Sequence, residues 1–247
     1  MPSRNATAAV IGAGDFIGAA IAERFAREGY TVVAGRRTAE KLPQLVDKIE
    51  KAGGRCIGRA LDARKEEDVI AFLDEADKIA PLEVCIFNPG ANVNFPILET
   101  TERVFRKVWE LACYGGFLTG REAARLMLPR GKGTILFTGA TASVRGGIGY
   151  SAFASAKFGL RAVAQSMARE LGPKNIHVAH LLIDAGVDTS FVRERIKARG
   201  GEKALESLQE DQLMDPDSIA DAYWYLHSQP RDGWTFELDI RPFMEKW

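Results

Sequence analysis

Thr7–Ala34, TAAVIGAGDFIGAAIAERFAREGYTVVA, decides the fold of this chain. It opens on a short apolar run, Thr7 to Ile11, of the kind that makes a strand buried on both faces. GAGDFIG follows directly and sets Gly12, Gly14 and Gly18 at the start of a helical pattern, Ile21, Ala22 and Phe25, that stops at Gly29. Tyr30 to Ala34 is a second buried run. Strand, glycine-rich turn, helix and strand within about thirty residues form the unit that carries a dinucleotide. Its glycines let the backbone approach a pyrophosphate, and the helix start offers free N–H groups and a positive dipole end. A purely structural turn is the plainer alternative. Phe16 and Ile17 lie within the turn and belong to the same candidate site, where the bulk of Phe16 is expected to narrow the pyrophosphate position.

After the second strand come Gly35, Arg36 and Arg37, with no acid among them. A carboxylate here would serve the ribose 2′-hydroxyl of NAD, whereas a guanidinium holds the 2′-phosphate of NADP bidentately. NADP(H) is therefore expected over NAD(H). Asp15 opposes this, because a carboxylate near that phosphate would repel it. Two solvated arginines at a strand end are the bland alternative.

Downstream the pattern repeats. Helices are expected over Glu40–Gly53, Glu66–Ile79, Glu102–Met127, Tyr150–Leu171 and Ile219–His227, and strands over Cys56–Leu61, Leu82–Phe87, Ile176–Ile183 and Trp234–Ile240. A further strand contains Ile135, Leu136 and Phe137. Asp62 follows the third strand, placed to accept from an adenine amino group, and Asn88-Pro89-Gly90 follows the fourth, as a turn beneath a cofactor. Asp184 to Met214 turns polar and charged and reads as a mobile flap over a substrate pocket. Strands alternating with helices throughout give an α/β class, a doubly wound parallel sheet of Rossmann type in a single domain spanning residues 1–247.

The second informative stretch, Thr134–Leu160, runs from a buried strand through small residues into a helix. Tyr150 and Lys157 stand seven residues apart on that helix, about two turns, so both face one way. An ammonium beside a phenol favours the phenolate, which makes the two a candidate proton-donating pair. The alternative is a packed aromatic and a solvated lysine. Thr141 and Ser143 are candidate oxyanion donors.

Composition narrows the partners. The formal net charge is zero, from 33 Lys+Arg against 33 Asp+Glu, which argues against a general nucleic-acid or membrane-surface binder. No apolar run reaches transmembrane length, no signal peptide is read at the N-terminus, and no metal-ligand pattern is present. Cys56, Cys85 and Cys113 are widely spaced and read as free thiols in a reducing compartment, the cytoplasm. His177 and His180 read as packed strand residues. The expected partner is a small molecule.

Taken together, Gly12-x-Gly14-xxx-Gly18, Asp62, Asn88-Pro89-Gly90, Lys157 and Thr189 resemble the short-chain dehydrogenase/reductase family over essentially the whole chain. The resemblance implies a dinucleotide held by Gly12, Gly14, Gly18, Arg36, Arg37, Asp62, Asn88, Gly90, Lys157 and Thr189. It also implies a homo-oligomer, dimer or tetramer, built on the long helices. The catalytic pattern departs from the family's: its tyrosine, four residues before the lysine, is Phe153, its serine position is Ala140, and its asparagine falls near Ala112. The spacing of Tyr150 to Lys157 is instead similar to that of the enoyl-acyl-carrier-protein reductases, in which the tyrosine protonates or polarises a thioester enolate. Two functions are therefore weighed: a reductase of a carbonyl or activated C=C with Tyr150 as donor, and a non-catalytic dinucleotide-binding sensor or scaffold.

Overall fold

A computed structural model describes residues 3–245. Seven strands, β1 (Thr7–Ile11), β2 (Thr31–Arg36), β3 (Arg55–Ala60), β4 (Leu82–Phe87), β5 (Gly133–Thr138), β6 (Ile176–Ile183) and β7 (Glu237–Ile240), form one parallel sheet in the order β3-β2-β1-β4-β5-β6-β7. The chain winds outward from β1 to β3, crosses back to lay β4 beside β1, and then winds the other way. That reversal opens a crevice above the carboxyl ends of β1 and β4, where ligands of such sheets bind. Ile11 pairs with Phe87, and the Asn88 N–H donates to the Ile11 carbonyl at 2.9 Å, so Gly12 and Asn88 leave the sheet side by side.

Both faces of the sheet are covered, and period-2 alternation sorts the strand residues between the two layers. Ala8 and Val10 pack with Ile21 and Phe25 of helix α1 (Ile17–Arg27), Leu45 of α2 (Leu42–Lys51) and Tyr223 of α8 (Pro216–Ser228). Ala9 and Ile11 pack on the other side with Leu73 of α3 (Glu66–Ile79), Leu118 of α5 (Gly115–Met127) and Leu160 of α6 (Ser151–Leu171). The single long helix expected from Glu102 is α4 (Glu102–Trp109) continuing into α5 through a wide turn, Glu110–Tyr114, of π geometry that contains Ala112. A π-turn inside a helix often marks a functional site. Helix α7 (Ser190–Glu206) lies within the expected flap, buries none of its residues fully and is broken at Gly201, where φ is 71°.

The expected β7 is longer than the observed one. Trp234 stacks flat on His177, ring centroids 4.8 Å apart, and Gln229 holds Thr235 by two hydrogen bonds, so side chains rather than the ladder fix that approach. Cys56, Cys85 and Cys113 are free and buried. No described helix is long and apolar enough to cross a membrane, and no cluster among the described residues could hold a metal ion.

Candidate active site

The crevice holds two chambers. One of about 300 Å³ lies over β1 and β2 and is lined by Gly12, Gly14, Arg36, Arg37 and Thr38 among others. The second, of about 550 Å³, lies over β4, β5 and β6 and is lined by Thr138, Ala140, Tyr150, Phe153 and Lys157 among others. Asn88 and Gly90 line both and join them.

The glycine turn is tightly closed at two of its glycines and open at the third. Gly12 has φ 84°, and a Cβ there would stand 3.0 Å from Pro89. A Cβ on Gly18 would fall 2.3 Å from the Gly12 carbonyl oxygen, so only glycine lets α1 close against the turn. Gly14 differs: a Cβ on it would meet nothing nearer than 4.0 Å, because it opens onto the chamber. The turn is braced from below. The Asn88 amide donates to the Gly12 carbonyl at 3.0 Å, the Thr138 hydroxyl donates to the Asn88 side-chain oxygen at 3.0 Å, and the Tyr223 phenol, 2.5 Å from Thr138 Oγ1, supplies the remaining donor. Phe16 is exposed and lines neither chamber, which corrects the expectation that its ring crowds the pyrophosphate position; Ile17 lines the larger one.

At the far end of the smaller chamber Arg36 donates to Asp15 at 2.5 Å. That pair neutralises the carboxylate expected to oppose a phosphate. Arg37 makes no ion pair or hydrogen bond among the described residues, although its charge is felt at Asp62. Asp62 does not line the chamber; its neighbours Leu61 and Ala63 do. Its carboxylate is gripped by Arg64, at 2.8 Å from Nε and 2.5 Å from the second guanidinium arm, and this holds it below the usual carboxylate range. The Asp62 carboxylate, expected to meet an adenine amino group, is held by Arg64 beside the chamber.

In the larger chamber Lys157 is buried, and burial lowers its pKa to about 8. Its ammonium donates to the Thr138 carbonyl at 2.7 Å and the Pro89 carbonyl at 3.3 Å, and lies 5.9 Å from the centroid of the Phe153 ring. Lys157 and Tyr150 share the chamber, but the two are not bonded to each other as the spacing suggested. Tyr150 is the residue before α6, not within it, and its phenol meets Arg195 at 2.8 Å instead. Thr141 lines the chamber with its hydroxyl donated to Asp184. Ser143 is buried away from it, its oxygen accepting from the Ala140 N–H at 3.1 Å, and Ala140 is the residue that faces the cavity. Thr189, expected beside the cofactor, caps α7 by accepting from the Val192 N–H.

Several roles escaped the sequence, among them that of Thr138, which by the family resemblance could only stand in for the missing serine. Thr138 and Tyr223 form the brace under the turn from opposite ends of the chain, and no local pattern links them. Asn92 and Arg145 line the larger chamber, and Arg195 contacts its wall, yet each sits in a polar stretch that reads as loop or flap.

Comparison with known proteins fits this geometry. The short chain dehydrogenase family model matches residues 6–200. A short-chain dehydrogenase structure from Rhodopseudomonas palustris is 62% identical, with a TM-score of 0.84, over 97% of this chain and 100% of that one. The (21S)-21-acetoxyl-apo-melianone synthase of Melia azedarach is 30% identical over 89% of this chain and 81% of that protein. An alcohol dehydrogenase structure from the archaeon Thermococcus sibiricus, complexed with 5-hydroxy-NADP, is 26% identical with a TM-score of 0.83 over 97% of each chain. The chain belongs to the short-chain dehydrogenase/reductase family.

Proposed function

We propose that this protein is an NADP(H)-dependent oxidoreductase that reduces a carbonyl or an activated C=C of a small-molecule substrate. The observation that carries the reading is the two-chambered crevice joined at Asn88 and Gly90, with a glycine turn at one end and a buried lysine at the other. The residues fit a dinucleotide: the space a Cβ would fill at Gly14 is open, the smaller chamber carries Arg36 and Arg37 in its lining, and no carboxylate lines it. The alcohol dehydrogenase that resembles this chain was solved with an NADP derivative, which agrees with the phosphate preference.

When bound there, a nicotinamide dinucleotide supplies hydride chemistry. The chain's own residues supply the rest. Gly12 and Gly14 would form the bed of the pyrophosphate, with Gly18 keeping the turn closed beneath it and Ile17 bordering it from the larger chamber, and Arg37, with Arg36, would meet the 2′-phosphate. Lys157 has three N–H donors as an ammonium, of which two are taken by Thr138 and Pro89; the third is left for the ribose hydroxyls. Tyr150 is the proton donor. Arginine can only donate, so the Tyr150 oxygen accepts from Arg195 and its own O–H stays free for a substrate oxygen or carbon. Thr141 lines the same wall as the candidate oxyanion donor once a ligand displaces Asp184.

A second reading, a dinucleotide-binding protein without catalysis, draws on Phe153 and Ala140, which face the larger chamber without a hydroxyl. Turnover separates the two. NADPH oxidation with aldehydes, ketones and enones, abolished by Tyr150→Phe, supports the reductase; cofactor binding without turnover of any such substrate supports the binder. Self-association is part of the proposal, since Phe105, Trp109, Phe117 and Phe158 on the α4–α5 and α6 helices are exposed large apolar side chains. So is a cytoplasmic setting, which suits three unpaired thiols.

A further inference from the structure

The larger chamber has an unbalanced charge. Its lining contains Lys157 and Arg145 and no Asp or Glu. A third cation reaches its wall from α7: Arg195 donates to the Tyr150 phenol at 2.8 Å and to the Asn92 side-chain oxygen at 3.5 Å, with its guanidinium carbon 5.8 Å from the Tyr150 ring centroid. Both acceptors are neutral and both line the chamber.

Neighbouring arginines are used differently. Arg193, on the same helix, is paired with Asp188 through two short hydrogen bonds. Arg145 approaches Asp184 only at 3.8 Å, and Asp184 is already shared by Thr141 and Arg241. Arg195 is in no ion pair among the described residues. Of its five N–H donors two are occupied, which leaves a fork for a bidentate acceptor. The phosphates of a dinucleotide do not explain this charge, because Arg36 and Arg37 serve the other chamber.

The surroundings of the cation are apolar. Phe191 stands four residues before Arg195, on the same face of α7, and is 56% exposed. Ile148, two residues before Tyr150, is 98% exposed, and Asn94 and Phe95 bond the Ile148 and Gly149 carbonyls, which brings a further exposed apolar ring to that lip. Inside, Phe153 and Ile183 continue the apolar wall. An apolar inner wall at Phe153 and Ile183, with exposed Phe191, Ile148 and Phe95 on the segments that flank Arg195 and Tyr150, suits a ligand with an apolar body and one negative end.

We propose that the substrate of this site is an apolar molecule bearing a carboxylate, held bidentately by Arg195 with Arg145 adding charge. This rests on the reductase reading for the word substrate, while the anion site itself rests on Arg195 bonded to two wall residues and on Arg145 in the lining. Closing on the carboxylate would draw α7 over the chamber and keep Tyr150 beside the bound molecule. The flap then selects by charge as well as by shape.

The test is calorimetric titration of 2-naphthoate and of its neutral isostere 2-naphthamide into the protein saturated with NADP. The expected result is binding of naphthoate about tenfold or more tighter than naphthamide, as a charge-assisted bidentate pair allows. Arg195→Met should bring the two ligands level, and Arg195→Lys should restore part of the difference. Arg145→Met should reduce it by a smaller factor. Equal affinities in the unaltered protein, no binding of either ligand, or a preference that survives Arg195→Met would each overturn the proposal. If neither NADPH nor NADH binds, the reductase reading fails; the same titrations on the cofactor-free protein then decide the carboxylate site separately.

Discussion

The Arg195 guanidinium donates at 2.8 Å to the phenolic oxygen of Tyr150, joining α7 to the residue that caps α6. The bond fixes which way the phenol uses its proton. Because Tyr150 accepts from Arg195, its O–H is left free to donate elsewhere. Removing that O–H by Tyr150→Phe is expected to lower kcat by about 100-fold or more, the usual worth of a positioned general acid, while NADPH affinity stays the same. Steady-state kinetics beside a cofactor titration check both halves. Full activity in Tyr150→Phe would remove Tyr150 from the mechanism.

The glycine turn gives a paired prediction. Gly18→Ala drives a Cβ, fixed by the helix backbone, to 2.3 Å from the Gly12 carbonyl oxygen, itself a backbone atom that cannot move cheaply. The expected cost is about 2 kcal/mol or more, a fall in Tm of roughly 4 °C or more for a chain of this size. Gly14→Ala meets nothing closer than 4.0 Å, so Tm should hardly change while dinucleotide binding weakens. Thermal melts of the two variants, each with a cofactor titration, distinguish a residue that shapes the turn from one that leaves room for a ligand.

Lys157 predicts a pH dependence. Its pKa is lowered by burial from 10.5 to about 8. Below pH 8 the lysine is charged in both folded and unfolded chains, and the folded protein carries the full cost of burying the ammonium. Between about 8 and 10.5 the unfolded chain binds more protons than the folded one, so stability from this residue rises with pH. The buried Cys56 thiol, pushed up to about 12, and the buried phenols of Tyr30 and Tyr223, pushed up likewise, act in the opposite direction. They cancel when the unaltered protein is compared with Lys157→Met. Lys157→Met should therefore melt higher than the unaltered protein at pH 7, and the gap should narrow towards pH 10. A gap independent of pH would show that Lys157 titrates normally.

Phe153 offers a gain-of-function prediction. Its ring lines the chamber near the Lys157 ammonium, at the position where the family pattern has its tyrosine. Phe153→Tyr places a second phenol beside the lysine, and carbonyl reduction is expected to rise by about tenfold or more. Ketone-dependent NADPH oxidation by the variant reads this directly. An unchanged or lower rate would mean that the chamber binds its substrate out of reach of that position.

What the sequence revealed and what it hid divide along physical lines. β4, β6 and α3 were legible to the residue, because Leu82–Phe87 and Ile176–Ile183 are mostly apolar runs, interrupted only by Glu83 and by His177 and His180, and Glu66–Ile79 has acids in its first turn. The glycines of the turn were legible because their requirement is local backbone geometry. The partners of the site were not. Tyr150 with Arg195, Thr141 with Asp184 and Thr138 with Tyr223 are bonds between residues far apart in the chain, which no periodicity encodes. Ser143 failed for a local reason: its hydroxyl satisfies the Ala140 N–H, an orphan donor at the strand end, rather than a ligand. Asp62 and Arg64 show the same competition, a carboxylate taken up by a neighbour two residues away.

The proposed reduction depends first on NADP(H) binding in the crevice. Titration with NADPH and NADH, followed by nicotinamide fluorescence, tests it most directly. The expected result is saturable binding that favours NADPH, with Arg37→Ala lowering NADPH affinity by about tenfold or more and leaving NADH nearly unchanged, because only the 2′-phosphate loses a charged partner. Failure of both dinucleotides to bind would contradict the account and leave a family member that has kept the fold for another purpose.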